Sequence, residues 1–143
     1  MPKGFTLLEM LLSIALIGII SGGVVGFSLV FLRSNDHESA MIVATQTFRR
    51  AQTLSRASVN DSSWGVKLQP GSLTLFQGVS YALRNVVWDE VNELPSTITP
   101  SGVTEILFAK TTGFPTSSGT VTLTHETLGA RSLLINAIGT IEE

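Results

Sequence analysis

The sequence has no cysteine at all. That excludes a disulfide framework, a thiolate metal site and a cysteine nucleophile. Charge is sparse, at 14% of 143 residues with a formal net charge of −2. From Arg33 onward eight Lys and Arg face ten Asp and Glu, so no basic field recommends nucleic acid or an anionic surface. Histidine occurs twice, at His37 and His125. No G-x-S-x-G elbow, H-E-x-x-H pair or glycine-rich phosphate loop accompanies them. Catalysis therefore has no support, and no cofactor is expected. His125 beside Glu126 reads as a surface pair near a hairpin. Asp89, Glu90 and Glu93 read as an acidic loop and not as a carboxylate site. Asn35-Asp36-His37-Glu38 holds metal-capable groups, but consecutive residues scatter around a helix, so no metal is expected.

What is present in quantity is apolar sequence near the N-terminus. Met10 to Leu32 is a run of 23 residues without charge, against the ~20 that a helix needs to cross a bilayer. It exceeds the h-region of a cleaved secretory signal, and no small-x-small site follows before Arg33, so it is expected to be retained. Lys3 on the short N-terminal side votes for an N-in orientation. Glu9 is the anomaly. A carboxylate in an apolar helix costs about 2.5–3.5 kcal/mol at mid-bilayer, less near the interface, so it calls for a positive partner. Lys3 is one candidate, and an amine on a neighbouring subunit is another. The bland alternative is a signal anchor with a stray interfacial glutamate.

Gly4-Phe5-Thr6-Leu7-Leu8-Glu9, with Lys3 before it and the apolar run after it, resembles the class III leader of type IV pilins and type II secretion pseudopilins. The resemblance implies cleavage between Gly4 and Phe5 by a prepilin peptidase, which also methylates the new N-terminus on Phe5. It implies that the apolar segment rests in the lipid bilayer until an inner-membrane assembly platform adds the subunit to a filament of other pilin or pseudopilin subunits. It further implies that Glu9 neutralises the Phe5 ammonium of an adjoining subunit. Such a pair is strong in a low-dielectric core, and losing one partner strands the other. The implied location is the cytoplasmic (inner) membrane with an extracytoplasmic C-terminal domain, then a periplasmic or cell-surface filament.

Gly18, Gly22 and Gly26 fall at four-residue spacing, a small-xxx-small pattern that lets helices approach closely in lipid. Gly23 adds a further weak point. At about 1 kcal/mol of helix propensity per glycine, Gly22 to Gly26 is also where the helix would loosen on assembly. Beyond Arg33, apolar or small residues recur at Ala40, Val43, Ala44, Phe48, Ala51, Leu54 and Ala57, which extends one helix from about Phe5 to about Ser58. Phe48 and Leu54 are its expected anchors. Arg49, Arg50 and Arg56 are expected on the solvated face, with intersubunit salt bridging as the alternative.

Asn60-Asp61-Ser62-Ser63 reads as the turn that ends the helix. Strand-type runs follow at Trp64 to Gln69, Ser72 to Gln77, Val103 to Ala109, Thr120 to Thr124 and Arg131 to Ala137, with a poorly defined stretch from Tyr81 to Val91. Val86 to Ile98 reads as a loop or an edge strand. Pro70-Gly71 suits a tight turn, and Thr127 to Ala130 a hairpin. Thr120 to Thr124 alternates, placing Val121 and Leu123 on a covered face of an antiparallel sheet. The expected class is α+β: a long N-terminal helix whose outer half packs on an antiparallel β domain. The boundaries are a leader at 1–4, a membrane or filament-core helix at 5–32, its amphipathic half at 33–58 and the β domain at 59–143.

A second resemblance covers the distal part. Arg50-Ala51-Gln52, Trp64-Gly65-Val66, Phe108 to Gly113, Gly119-Thr120-Val121-Thr122-Leu123 and Ser132 to Asn136 with Gly139 are similar to H-type minor pseudopilins and FimT-like minor pilins. This implies a minor subunit of a type IV pilus or a type II secretion pseudopilus. Some FimT-like pilins resemble DNA-uptake components, so a DNA-binding minor pilin is the alternative. Beyond Trp64 the only basic residues are Lys67, Arg84, Lys110 and Arg131, which makes nucleic acid an unfavoured partner.

Overall fold

The computed structural model describes the backbone of residues 4–143, and side-chain surroundings for residues 4–22 and 35–143. The chain divides into two compact units, Met1–Asn35 and Asp36–Glu143. One helix, α1 (Leu7–Arg56), contributes to both. Among the described residues no helix is long and apolar enough to cross a membrane. The uncharged run at 10–32 that carries that expectation extends into 23–34, outside the residues whose side chains are described.

In the first unit every described side chain from Gly4 to Gly22 is exposed. Leu7, Leu8, Leu11, Ile14 and Ile19 keep between 61% and 79% of their surface. No face of this segment is polar enough to be its solvent side, apart from Glu9, Ser13 and Ser21.

The second unit holds eight strands in two four-stranded antiparallel sheets. The first has the order β3-β2-β1-β5 and the second β4-β6-β7-β8. The strands are β1 (Trp64–Gln69), β2 (Ser72–Gln77), β3 (Glu90–Glu93), β4 (Ile98–Gly102), β5 (Glu105–Phe108), β6 (Gly119–His125), β7 (Gly129–Ile135) and β8 (Ile141–Glu142). Gly71, at φ 78°, makes the β1–β2 turn, a backbone state that glycine enters without penalty. Both sheets deliver alternate residues to one core. Ala40, Met41, Ala44, Phe48 and Ala51 of α1 meet Val66, Leu73, Leu75, Ile106 and Phe108 of the first sheet and Val121, Leu123, Leu133 and Ile135 of the second. The run of small residues on the helix lets both sheets come close, while Phe48 fills the space between them.

Several expectations are corrected. His125 is not a surface residue but only 2% exposed, because the β6 alternation that buries Val121 and Leu123 continues one step further. Its Nδ1 accepts the Thr127 backbone N–H at 3.1 Å, and its ring centroid lies 5.9 Å from that of the buried His37. The run from Val103 to Ala109 is shorter than expected, β5 starting at Glu105, and a separate strand, β4, precedes it in the other sheet. β4 contains Pro100 and is a sheet edge, the place in a sheet where a residue without an N–H is tolerated. Ala57 is exposed, and Ser55 takes the buried position instead. Tyr81 to Val91 forms two short 3-10 turns before β3, which is the edge strand of its sheet.

Two side chains of α1 tie the helix to the loops around it. The buried Ser55 hydroxyl lies 3.0 Å from the Phe108 carbonyl and accepts the Trp64 N–H at 2.8 Å. Gln52 Nε2 donates to the carbonyls of Gly113 (3.1 Å) and Gly139 (3.0 Å). Gly139 has φ 81°, and a Cβ there would stand 2.3 Å from Gln52 Nε2. Gly139→Ala should therefore cost about 2 kcal/mol, from left-handed strain plus a broken hydrogen bond. In a double-mutant cycle with Gln52→Ala, followed by denaturant unfolding, the two losses should be less than additive by at least about 0.5 kcal/mol. Strict additivity would mean that the clamp does not couple the two sites.

Candidate processing and assembly site

Gly4 and Phe5 precede α1 in irregular, exposed backbone, with Phe5 keeping 78% of its surface. Nothing lies within 4 Å of the position a Gly4 Cβ would take. The Gly4–Phe5 peptide bond is thus outside the helical hydrogen-bond ladder and open to an incoming protease.

Thr6 begins the helix. Its carbonyl accepts the N–H groups of Glu9 (3.1 Å) and Met10 (3.2 Å), and its hydroxyl accepts the Glu9 N–H at 3.3 Å. Thr6 is therefore the N-cap, and Glu9 occupies the third helical position, the spacing of a capping box. Thr6-x-x-Glu9 carries this signal in the sequence itself, although it was missed there. A carboxylate in the first turn also favours the positive end of the helix dipole, by about 0.3–1 kcal/mol. Among the described residues Glu9 forms no ion pair, and it is exposed. Phe5 and Glu9 are thus four positions apart at the start of the helix, and both are exposed.

Gly18 and Gly22 lie inside α1, and among the described residues no atom beyond the adjoining helix backbone lies within 4 Å of a Cβ added at either. Nothing in the described packing requires glycine at these positions. Gly23 and Gly26 lie outside the residues whose surroundings are described. Melting between Gly22 and Gly26 concerns an assembled state, whereas the single chain carries α1 unbroken from Leu7 to Arg56.

The other candidates separate from this site. Among the described residues no group of three or more His, Cys, Asp or Glu could hold a metal ion. Asp89 and Glu90 are committed to ion pairs, with Arg84 at 2.7 Å and Arg50 at 3.0 Å. Asp89 keeps the Arg84 guanidinium protonated above its ordinary range through their hydrogen bond. All four basic residues beyond Trp64 are paired with a carboxylate: Lys67 with Glu105, Arg84 with Asp89, Lys110 with Asp61 and Arg131 with Glu38. A phosphate backbone would have to displace those partners to bind.

Residues 2–25 match the family described as the prokaryotic N-terminal methylation motif. The structure is similar to the minor pseudopilin EpsH from the type 2 secretion system of Vibrio cholerae. The TM-score is 0.52 at 14% identity, over 72% of this chain and 94% of that one. No curated protein matches the sequence. The H-type fold expected from the distal residues is the fold found.

Because Gly22 has open space around it, Gly22→Ala should leave the isolated chain folded and raise its helix stability by about 1 kcal/mol. Circular dichroism in detergent would detect any loss of helix instead, which would mean that the glycine serves the single chain. An N-terminal methylation motif carried on a pseudopilin-like α+β fold supports a place for this chain in the type IV pilin and pseudopilin family.

Proposed function

We propose that the chain is a non-catalytic filament subunit, minor in number, of a type II secretion pseudopilus or a type IV pilus. Prepilin peptidase cleaves it after Gly4 and methylates Phe5. The apolar segment holds it in the cytoplasmic membrane, with the β domain outside, until the assembly platform inserts it into the filament. Glu9 then receives the methylammonium of Phe5 from the next subunit. Gly18, Gly22, Gly23 and Gly26 permit close helix packing, and the stretch from Gly22 to Gly26 yields locally as the helix is drawn into the filament.

One observation carries the reading: a methylation motif sits at residues 2–25, where an exposed Gly4–Phe5 bond precedes a helix that is apolar on every side. Such a helix requires a cover of lipid or of other helices, and both belong to a filament subunit's cycle. The pseudopilin-like fold of the rest of the chain supports the same reading.

Gly4→Leu should block cleavage, so that N-terminal mass spectrometry finds the first four residues retained. Glu9→Leu should leave cleavage largely intact yet lower incorporation into filaments at least tenfold, because a buried ammonium without its carboxylate costs about 3–5 kcal/mol. Immunoblotting of sheared filaments measures this. Wild-type incorporation of Glu9→Leu would refute the ion-pair role.

A further inference from the structure

Two buried histidines of the second unit have no part in the filament-subunit reading. His37, on α1, is 6% exposed, and His125, at the end of β6, is 2% exposed. Their ring centroids lie 5.9 Å apart. The partners of each ring decide where its proton sits. His125 Nδ1 accepts the Thr127 backbone N–H at 3.1 Å, and the Thr127 hydroxyl lies 3.3 Å from the same atom. A nitrogen that accepts carries no proton, so the ring's proton is on Nε2, which is buried without a hydrogen-bond partner among the described residues. His37 Nε2 faces the Leu123 carbonyl at 3.3 Å and donates to it. In both rings Nδ1 is therefore the atom left to receive a second proton.

That second proton has no place in the packing. On His125 it would set one N–H against another, that of Thr127, and on either ring it would create a buried cation, which is costly without a paired charge. The charged groups around the pair offer no relief. On α1, Glu38 is paired with Arg131 of β7 at 2.8 Å, and the Asp36 carboxylate receives the Thr97 hydroxyl at 3.4 Å. Glu126, after β6, is exposed. β4 has no ionisable side chain, and β8 meets the opposite end of β7.

We propose that His37 and His125 form an acid-sensitive latch that holds the β6–β7 turn to α1, shut while both rings are neutral and released when solvent delivers a proton to either Nδ1. The inference stands whether or not the chain enters a filament. An imidazole in water changes charge between about pH 5 and 8. The opened form thus takes up protons that the shut form excludes, so opening is favoured as pH falls and the latch tightens as pH rises. His37 is the second residue of the second unit. Release therefore frees the start of that unit's helix and the turn, while the first sheet, which contributes neither histidine, stays in place.

Hydrogen–deuterium exchange of the full-length protein in detergent micelles, corrected for the intrinsic pH dependence of amide exchange, reads the latch without any substitution. From pH 7.5 to 5.5 the opening equilibrium of residues 124–130 should rise about tenfold, the ratio for one histidine that gains its proton only in the open form, and that of residues 72–77 less than about twofold. His37→Gln keeps an amide N–H near the position of Nε2, and His125→Asn keeps an amide oxygen near that of Nδ1. The double variant thus retains both hydrogen bonds and every carboxylate but cannot take up the proton, and its rise should fall to within about twofold. An acid-independent turn in the wild type, a rise of equal size in both sheets, or a rise that survives the double substitution overturns the proposal. The wild-type comparison decides by itself if the substituted core loses its fold.

Discussion

An apolar helix with no polar side cannot be stable in water alone, and the rest of this molecule is arranged around that constraint. Residues 7–22 place large aliphatic side chains on every face. Burying each such side chain is worth about 1.5–3 kcal/mol, so lipid or neighbouring helices must supply the cover. Water on the polar face is not an option here, as it is for the outer part of α1. The only ionisable group in this stretch, Glu9, is in the first turn, where the helix dipole and the Thr6 cap already favour a carboxylate. Local chemistry thus makes the acid tolerable at this position.

The second unit meets the opposite requirement. It must fold without disulfides, around the part of α1 that belongs to it. Its core is shared among two sheets and one helical stripe of mostly small residues, so neither sheet closes without α1. Ser55 and Gln52 add polar anchors that fix the rotation of the helix relative to the loops at 108–113 and 136–140. A helix seated by directional bonds as well as by oil-like contacts has one register, and any pull on it is transmitted to the β domain.

Much of this was legible in the residues. The leader resemblance, the apolar run and the stripe through Ala40, Ala44, Phe48 and Ala51 foretold α1, Pro70-Gly71 marked the turn between β1 and β2, and the alternation from Thr120 to Thr124 marked β6. His125 was misplaced because its neighbour Glu126 suggested a wet environment, whereas strand period alone decided its burial. The strand at Ile98 to Gly102 fell between the runs read from the sequence, and the fit of its Pro100 depends on being at a sheet edge, a property of the whole topology. Gln52, Gly113 and Gly139 were each noticed through a resemblance to H-type pseudopilins. That one amide joins the other two could only emerge from the folded chain, since the partners lie 61 and 87 positions away. The stretch from Tyr81 to Val91 was poorly defined in sequence for a related reason. Its two 3-10 turns are tied to residues outside it, Tyr81 N–H to Glu105 and Asn85 N–H to Gln77, contacts that no local pattern announces.

The Gln52 clamp has a companion two turns earlier on the same helix. Its amide holds the Gly113 and Gly139 carbonyls, and the Thr45 hydroxyl lies 3.4 Å from the Glu143 carboxylate, on the far side of β8. The short strand β8 is thus bracketed by two polar ties to α1. Fraying of that sheet edge would have to break a tie to the helix as well as the strand ladder, so the edge and the helix seat open together.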